Sequence, residues 1–345
     1  MLRSMLVVAI AWFGGSILAA PPAPVASTPV SFELANPTLE SAAAELGKQA
    51  GIPIVVPAAL KATPVTANHK GSFWGVVNRL ATEAKCRLRV INGKVQFLPL
   101  VQGSVPTPSS IDGAFLTTVR QVIAKRDFES ASGITEVHLE IAWEPRFPVY
   151  LIDAEAKILK ATGERGEYKF DPSSGRVSAS GYVHPMIVRL KGIPREEKAL
   201  SVLSGSFNVI AAEKLLAVEF KDLTIAQPAI QTVEGVKVSL KPLKTANGQI
   251  EVTFDLEYPP SHPEFESFQG WAASNKLRLY DAAGKAMGEP ADYNTTENGR
   301  RISASYFFPA PKGQANWKGW RAVYETPCPM VQQEVRFELK DILLP

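Results

Sequence analysis

Four histidines, two cysteines and a few clustered carboxylates carry whatever potential this chain has for catalysis or metal binding. The histidines are His69, His138, His184 and His262, and none stands in the context of a nucleophile triad or zinc helix. No G-x-S-x-G turn and no H-E-x-x-H run occurs. A G-x-x-x-x-G-K-[ST] loop is also absent, as is a G-x-G-x-x-G that follows a strand and opens a helix. The best metal candidate is His262-Pro263-Glu264-Phe265-Glu266. Alternate residues of an extended segment share a side, so one imidazole and two carboxylates would converge there. Pro259, Pro260 and Pro263 nevertheless make this a loop, for which an exposed polar role is the default. Glu140 and Glu144 bracket Trp143 as a carboxylate pair for glycoside hydrolysis, with Arg146 placed to neutralise either one in a surface ion pair. Asp153 and Asp281 lack the further oxygen ligands that calcium requires. No catalytic, cofactor-binding or metal-ligating residue is assigned, and no cofactor is implied.

The aromatic residues offer binding rather than chemistry. Trp271, Trp317 and Trp320, with Phe265 and Phe268, fall in loop-like stretches near the end of the chain. If exposed, such a cluster stacks on sugar or grips a protein partner, and packing in a core is the alternative. Cys86 and Cys328 lie far apart in sequence. An oxidising compartment would allow them to pair, and two separately buried thiols are the other outcome. Two cysteines without a spaced Cys/His cluster exclude a structural zinc site of the usual type.

A chain of 345 residues has room for two or three domains. With 46% hydrophobic residues and 37 Lys and Arg against 34 Asp and Glu, it has the balance of a folded protein. No basic run marks a nucleic-acid surface, so nucleic acid is not an expected partner. Residues 1–20 place Arg3 before an apolar run, with Ala19, Ala20 and Ala23 near its end, which is the layout of a secretory signal peptide. Leu18 and Pro21 suit cleavage poorly, which keeps a retained anchor as the alternative. No later stretch approaches about 18 uninterrupted apolar residues, so no transmembrane helix is expected in the mature chain.

The elements that would position these residues begin after a Pro/Ala-rich linker, residues 21–29, expected to be extended and mobile. Val30, Phe32 and Leu34 alternate as in a half-buried strand. Thr38 is placed to cap a helix whose Leu39, Ala43, Leu46 and Ala50 form one apolar face, and Gly51 stops it. Residues 52–56 and 65–67 read as strands. Ser72 caps a second helix with Phe73, Val76, Val77, Leu80 and Ala84 on its buried stripe. Residues 86–91 and 94–98, joined by Asn92-Gly93, read as a hairpin with a type I′ turn.

This β-α-β-β-α-β-β order over residues 30–100 resembles the short N-terminal (STN-like) periplasmic domain shared by secretins and TonB-dependent receptors. The matching stretches are FELANPTLESAAAELGKQAGIPIVV, the W-G-V-V-N-R-L helix, and CRLRVINGKVQFLP. The resemblance implies an α+β docking domain that contacts an envelope protein partner and performs no catalysis. It also implies an exported protein of the periplasm or cell envelope of a Gram-negative-type bacterium. No secretin pore region or receptor barrel follows, so of the family's roles only docking carries over.

From residue 105 onward the pattern changes to short alternating strands separated by Gly, Pro, Asn and Asp, as in V-H-L-E-I, Q-I-E-V-T-F-D-L and V-R-F-E-L. That spacing predicts antiparallel β-sandwiches of Ig-like type. Three pairs of motifs recur in the same order: LIDAEAK with LYDAAGK, SGRVSASGYVHP with NGRRISASYFFP, and VEFKDL with FELKDI. They predict two tandem sandwich domains, residues 105–223 and 224–345. Asp153 and Asp281 are expected in turns that bond their own backbone, and Gly175 and Gly299 in hairpin turns. The functional expectation is an exported, non-catalytic docking or scaffold protein; the alternative is a carbohydrate-binding or carbohydrate-active protein using the Trp-bearing second sandwich.

Overall fold

The computed structural model describes residues 25–105, 107–126, 129, 133–170, 175–264, 275–311 and 316–345. They are mostly β-strand with two α-helices, and no helix among them is long and apolar enough to cross a membrane. The first seven elements are β1 (Pro29–Glu33), α1 (Leu39–Ala50), β2 (Ile54–Val55), β3 (Asn68–Ser72), α2 (Phe73–Glu83), β4 (Cys86–Ile91) and β5 (Lys94–Pro99). Next come β6 (Ser109–Asp112), β7 (Phe115–Arg126), β8 (Gly133–Trp143), β9 (Val149–Asp153), β10 (Lys157–Gly163), β11 (Gly166–Glu167), β12 (Lys169–Phe170), β13 (Arg176–Ser178), β14 (Val183–Lys191) and β15 (Ala199–Lys221). The rest are β16 (Ala229–Val233), β17 (Val236–Leu240), β18 (Lys244–Ala246), β19 (Gln249–Glu257), β20 (Lys276–Tyr280), β21 (Asp292–Asn298), β22 (Arg301–Pro309) and β23 (Arg321–Leu343).

The N-terminal module forms where its local signals place it. Thr38 and Ser41 satisfy each other's backbone in a capping box at the start of α1, and Gly51 ends that helix at φ 66°. The Ser72 hydroxyl accepts from the Gly75 amide at the start of α2. Asn92 and Gly93 both have positive φ, as a type I′ turn requires, so β4 and β5 pair from Ile91–Lys94 to Cys86–Pro99. The strand expected at residues 65–67 lies slightly later, as β3, because its partner β1 sets the register through Phe32 opposite His69. Both helices bury one stripe, with Leu39, Leu46, Phe73, Trp74, Val76, Val77 and Leu80 fully enclosed. Each such large side chain contributes about 1.5–3 kcal/mol of burial.

The remainder consists of two β bodies of like strand order. The first has a five-stranded sheet β12-β14-β8-β7-β6, and the second has β21-β22-β19-β17-β16 with β18 paired to β19. A seven-stranded sheet spans both bodies, because β15 and β23 run antiparallel from Ala199–Leu343 to Lys221–Arg321. The first half of β15 buries Leu200, Leu203, Phe207 and Val209 in one core, and its second half buries Leu216, Val218 and Phe220 in the other. The final strand makes the reverse crossing: Ala322, Tyr324 and Met330 join the second core, and Val331, Val335, Phe337 and Leu339 join the first. Each long strand thus ends inside the other body, and the exchange centres on the pairs Ala211–Val331 and Ala212–Met330. Residues 331–343 therefore pack with the first body rather than with the body their sequence position adjoins.

The recurring motifs divide on inspection. VEFKDL and FELKDI sit at the far ends of β15 and β23, with Val218, Phe220 and Leu223 buried in one and Phe337, Leu339 and Ile342 in the other. Asp222, just past β15, and Asp341, near the end of β23, share positive φ of 54° and 53°. The other two pairs do not superpose: Arg176–Ser178 pairs with β9, whereas β22 pairs with β19, and Leu151 and Leu279 meet the long strands at different heights. Strand order preserves the correspondence that local sequence has lost.

Candidate functional site

The N-terminal module is fastened to the outer face of the first body's five-stranded sheet. Leu116 and Ala142 on that face are buried in the module's core, with Tyr182 and Val183 packed beside them. The Trp74 indole N–H donates to the Ala114 carbonyl at 2.9 Å. Gly93 passes so close to Tyr182 that a Cβ there would stand 2.9 Å from its ring. A register shift between Val119 and Gln121 turns Arg120 outward, where its guanidinium and that of Arg89 share the Glu140 carboxylate, each at 2.5 Å.

The segment before β1 is extended, yet residues 25–28 are held. Val25 is buried in the first core and its amide donates to the Gln333 side chain at 2.9 Å. Glu144 is fully buried and accepts from the Ser27 hydroxyl at 2.7 Å, the Thr28 amide at 3.0 Å, the Thr28 hydroxyl at 2.5 Å and Arg146 Nε at 3.0 Å. The expected mobile linker is thus a strap over this part of its length. A buried carboxylate is costly unless its oxygens are hydrogen-bonded, and Ser27 and Thr28 supply donors.

Strand edges decide what the module can offer a partner. At β1, the Ser31 amide donates to Gln49 Oε1 at 2.9 Å and its carbonyl accepts from Gln49 Nε2 at 2.7 Å, while Pro29 has no N–H to offer. At β3, the Lys70 carbonyl accepts from Arg79 at 2.8 Å. At β4, the Leu88 carbonyl accepts from Arg120 at 3.1 Å. The remaining edge belongs to β2. The Val95 amide donates to the Pro53 carbonyl, so in this parallel pair Ile54 and Val56 turn their main-chain groups away from β5. Among the described residues no side chain takes those groups, and Val55 is 40% exposed beside them. Pro53 and Pro57 limit this edge to three residues.

The residues singled out for chemistry are dispersed. His262 is buried, and its Nδ1 accepts from the Met330 amide at 3.4 Å. Burial, then the Arg300 charge, pushes its pKa down to about 4. Glu264 is instead paired with Arg300 at 3.0 Å, and Glu266 lies outside the described residues. Among the described residues no group of three or more His, Cys, Asp or Glu side chains converges on a metal position. His69 packs against Phe32 with the rings tilted at 48°, and burial lowers the pKa of His184. The carboxylates considered for hydrolysis serve as the module's anchors: Glu140 binds two arginines and Glu144 binds the strap. Both cysteines are free and buried, and burial pushes each thiol up to about 11. The turn role holds for Asp281, which accepts from the Ala283 and Lys285 amides at 2.9 Å; Asp153 instead accepts from the Asn208 amide across the sheet at 2.7 Å.

Of the aromatic cluster, Trp320 is 3% exposed and belongs to the second core, which removes it from any binding face. Trp317 is half-buried and stands edge-on to it at 5.0 Å. Phe265, Phe268 and Trp271 lie outside the described residues. Gln49, Arg79 and Arg120, which close three edges, carried no motif. The signal for Arg120 is a bulge, visible only once β7 and β8 are paired.

Comparison with protein-family models, with curated proteins and with solved structures returned no match for this chain.

Proposed function

We propose that this is an exported, non-catalytic protein of the periplasm or cell envelope whose N-terminal module docks a protein partner. In this reading the β bodies, taken as Ig-like sandwiches with exchanged final strands, are the rigid base that presents the module. One observation carries it: side chains close the other module edges, whereas β2 keeps outward main-chain groups beside an exposed Val55. Strand addition draws affinity from such main-chain groups and specificity from the neighbouring side chain. The likeness of residues 30–100 to the short N-terminal domain of secretins and TonB-dependent receptors supports the same reading.

The test is capture from envelope extracts with the full chain and with Val55→Asp. Val55 is too exposed for its replacement to unfold the module, so a partner recovered by the parent and lost by the variant fits the proposal. Equal recovery by both, or none by either, rejects it. Neither described tryptophan of the second body favours a carbohydrate site there, because Trp320 is buried and Trp317 packs against it.

A further inference from the structure

A cleft of about 360 Å³ runs between α2 and β4 of the module and β6 and β7 of the first body. Its charge is one-sided. Lys85, Arg87 and Arg120 line it, and its lining includes no Asp or Glu. Arg89 adds a fourth cation nearby, and among the described residues Glu140, bonded to Arg89 and Arg120, is the carboxylate that meets these cations. The carbonyl end of α2 faces this region with about half a negative charge, too little to reverse the sign. The Arg120 Nε is buried and has no hydrogen-bond partner among the described residues. Burial lowers the Arg120 pKa, Glu140 opposes that, and the Arg89 and Arg87 charges lower it further. A guanidinium stays protonated under such pressure, so the field persists at any physiological pH.

The polar lining is equally specific. Thr82, Ser104 and Thr118 also line the space, the Thr82 hydroxyl donating to the Asn78 carbonyl at 3.0 Å and keeping its acceptor capacity. The Ile91–Lys94 pair closes the two-residue turn, so alternate residues back along β4 turn their main-chain groups away from β5, Leu88 among them. The Leu88 carbonyl is already met there by Arg120. Glu140 neutralises part of the Arg89 and Arg120 charge, whereas Lys85 and Arg87 line the same ligand-sized space with no carboxylate in its lining.

We propose that this cleft binds a small oxyanion, a phosphate or carboxylate carried on a hydroxylated frame such as a sugar acid or sugar phosphate. Arg87 and Lys85 meet the anion, Arg120 fixes its depth, and the Thr and Ser hydroxyls receive the frame. Ligand binding would also brace the module against the first body, since both walls contribute. This site is independent of the β2 edge, and either assignment stands if the other fails.

Isothermal titration of the full chain with glucose 6-phosphate, glucuronate, inorganic phosphate and glucose tests the proposal. The expected result is saturable binding of at least one of the three anions, weakening with added salt, and none of neutral glucose. Arg87→Ser and Lys85→Ser change exposed side chains, so they should leave thermal unfolding unchanged and each weaken anion binding about tenfold or more. Glucose 6-phosphate binding more tightly than phosphate assigns a role to the frame, and equal affinity narrows the ligand to the oxyanion itself. Absence of saturable binding by all three anions, or affinity unchanged in both variants, overturns the proposal.

Discussion

The two β bodies share a strand order, yet among the described residues only the first carries a module on its outer face. The difference comes down to one row of side chains. In the first body, Leu116, Ala142 and Val183 lie side by side across β7, β8 and β14 and are covered by the module. At the corresponding end of the second sheet the row is Lys237, Glu257 and Arg301, in solvent, with Arg301 paired to Glu257 at 3.0 Å. A sheet face becomes an interface when its outward positions turn apolar, with no change of topology. The anchors then follow from position: Glu140 lies on the same strand as Ala142 and Glu144 directly after its end, and both hold module or strap residues.

That contrast breaks most sharply at Leu116. Leu116→Glu buries an unpaired carboxylate under the module and should cost about 4 kcal/mol, with the module unfolding separately in calorimetry. Glu257→Ala removes only an exposed ion-pair partner and should change stability by less than about 0.5 kcal/mol. Similar losses at both positions would erase the distinction between the two faces. Next in size is Glu144→Ala, which strips the strap of its acceptor and should cost about 3 kcal/mol. Limited proteolysis should then cut near residues 25–28 in the variant and spare them in the parent.

Acid sharpens the comparison from the second body. His262 is neutral near pH 7 when folded, since burial lowers its pKa to about 4 from the ordinary 6.5. Its contribution is therefore complete above pH 6.5 and is lost as pH falls from there through about 4, to the extent of roughly 3 kcal/mol. Urea unfolding across that range should show a shallower decline in His262→Gln than in the parent. Parallel declines would place the acid sensitivity elsewhere.

Local signals made the module legible. Thr38, Gly51, Ser72 and Asn92-Gly93 each act on residues within one turn, so sequence spacing alone places both helices and the hairpin. The long strands were not legible because their partners lie a hundred or more residues away, and Pro327 and Pro329 interrupt the alternating pattern inside β23. Glu144 suffered likewise: its donors Ser27 and Thr28 sit 117 and 116 residues earlier, in a stretch whose composition suggests mobility. The module's attachment also means that deleting residues 30–100 would expose Leu116 and Ala142, so point changes at its edge are the cleaner probe.

The most direct measurement places a photo-crosslinking residue at Val55 of the module or at Thr296 on the second body's uncovered sheet, in cells exporting the protein. The account predicts a discrete adduct with one envelope protein from position 55 and none from position 296. Absence of an adduct at position 55, or the same adducts from both positions, would contradict it.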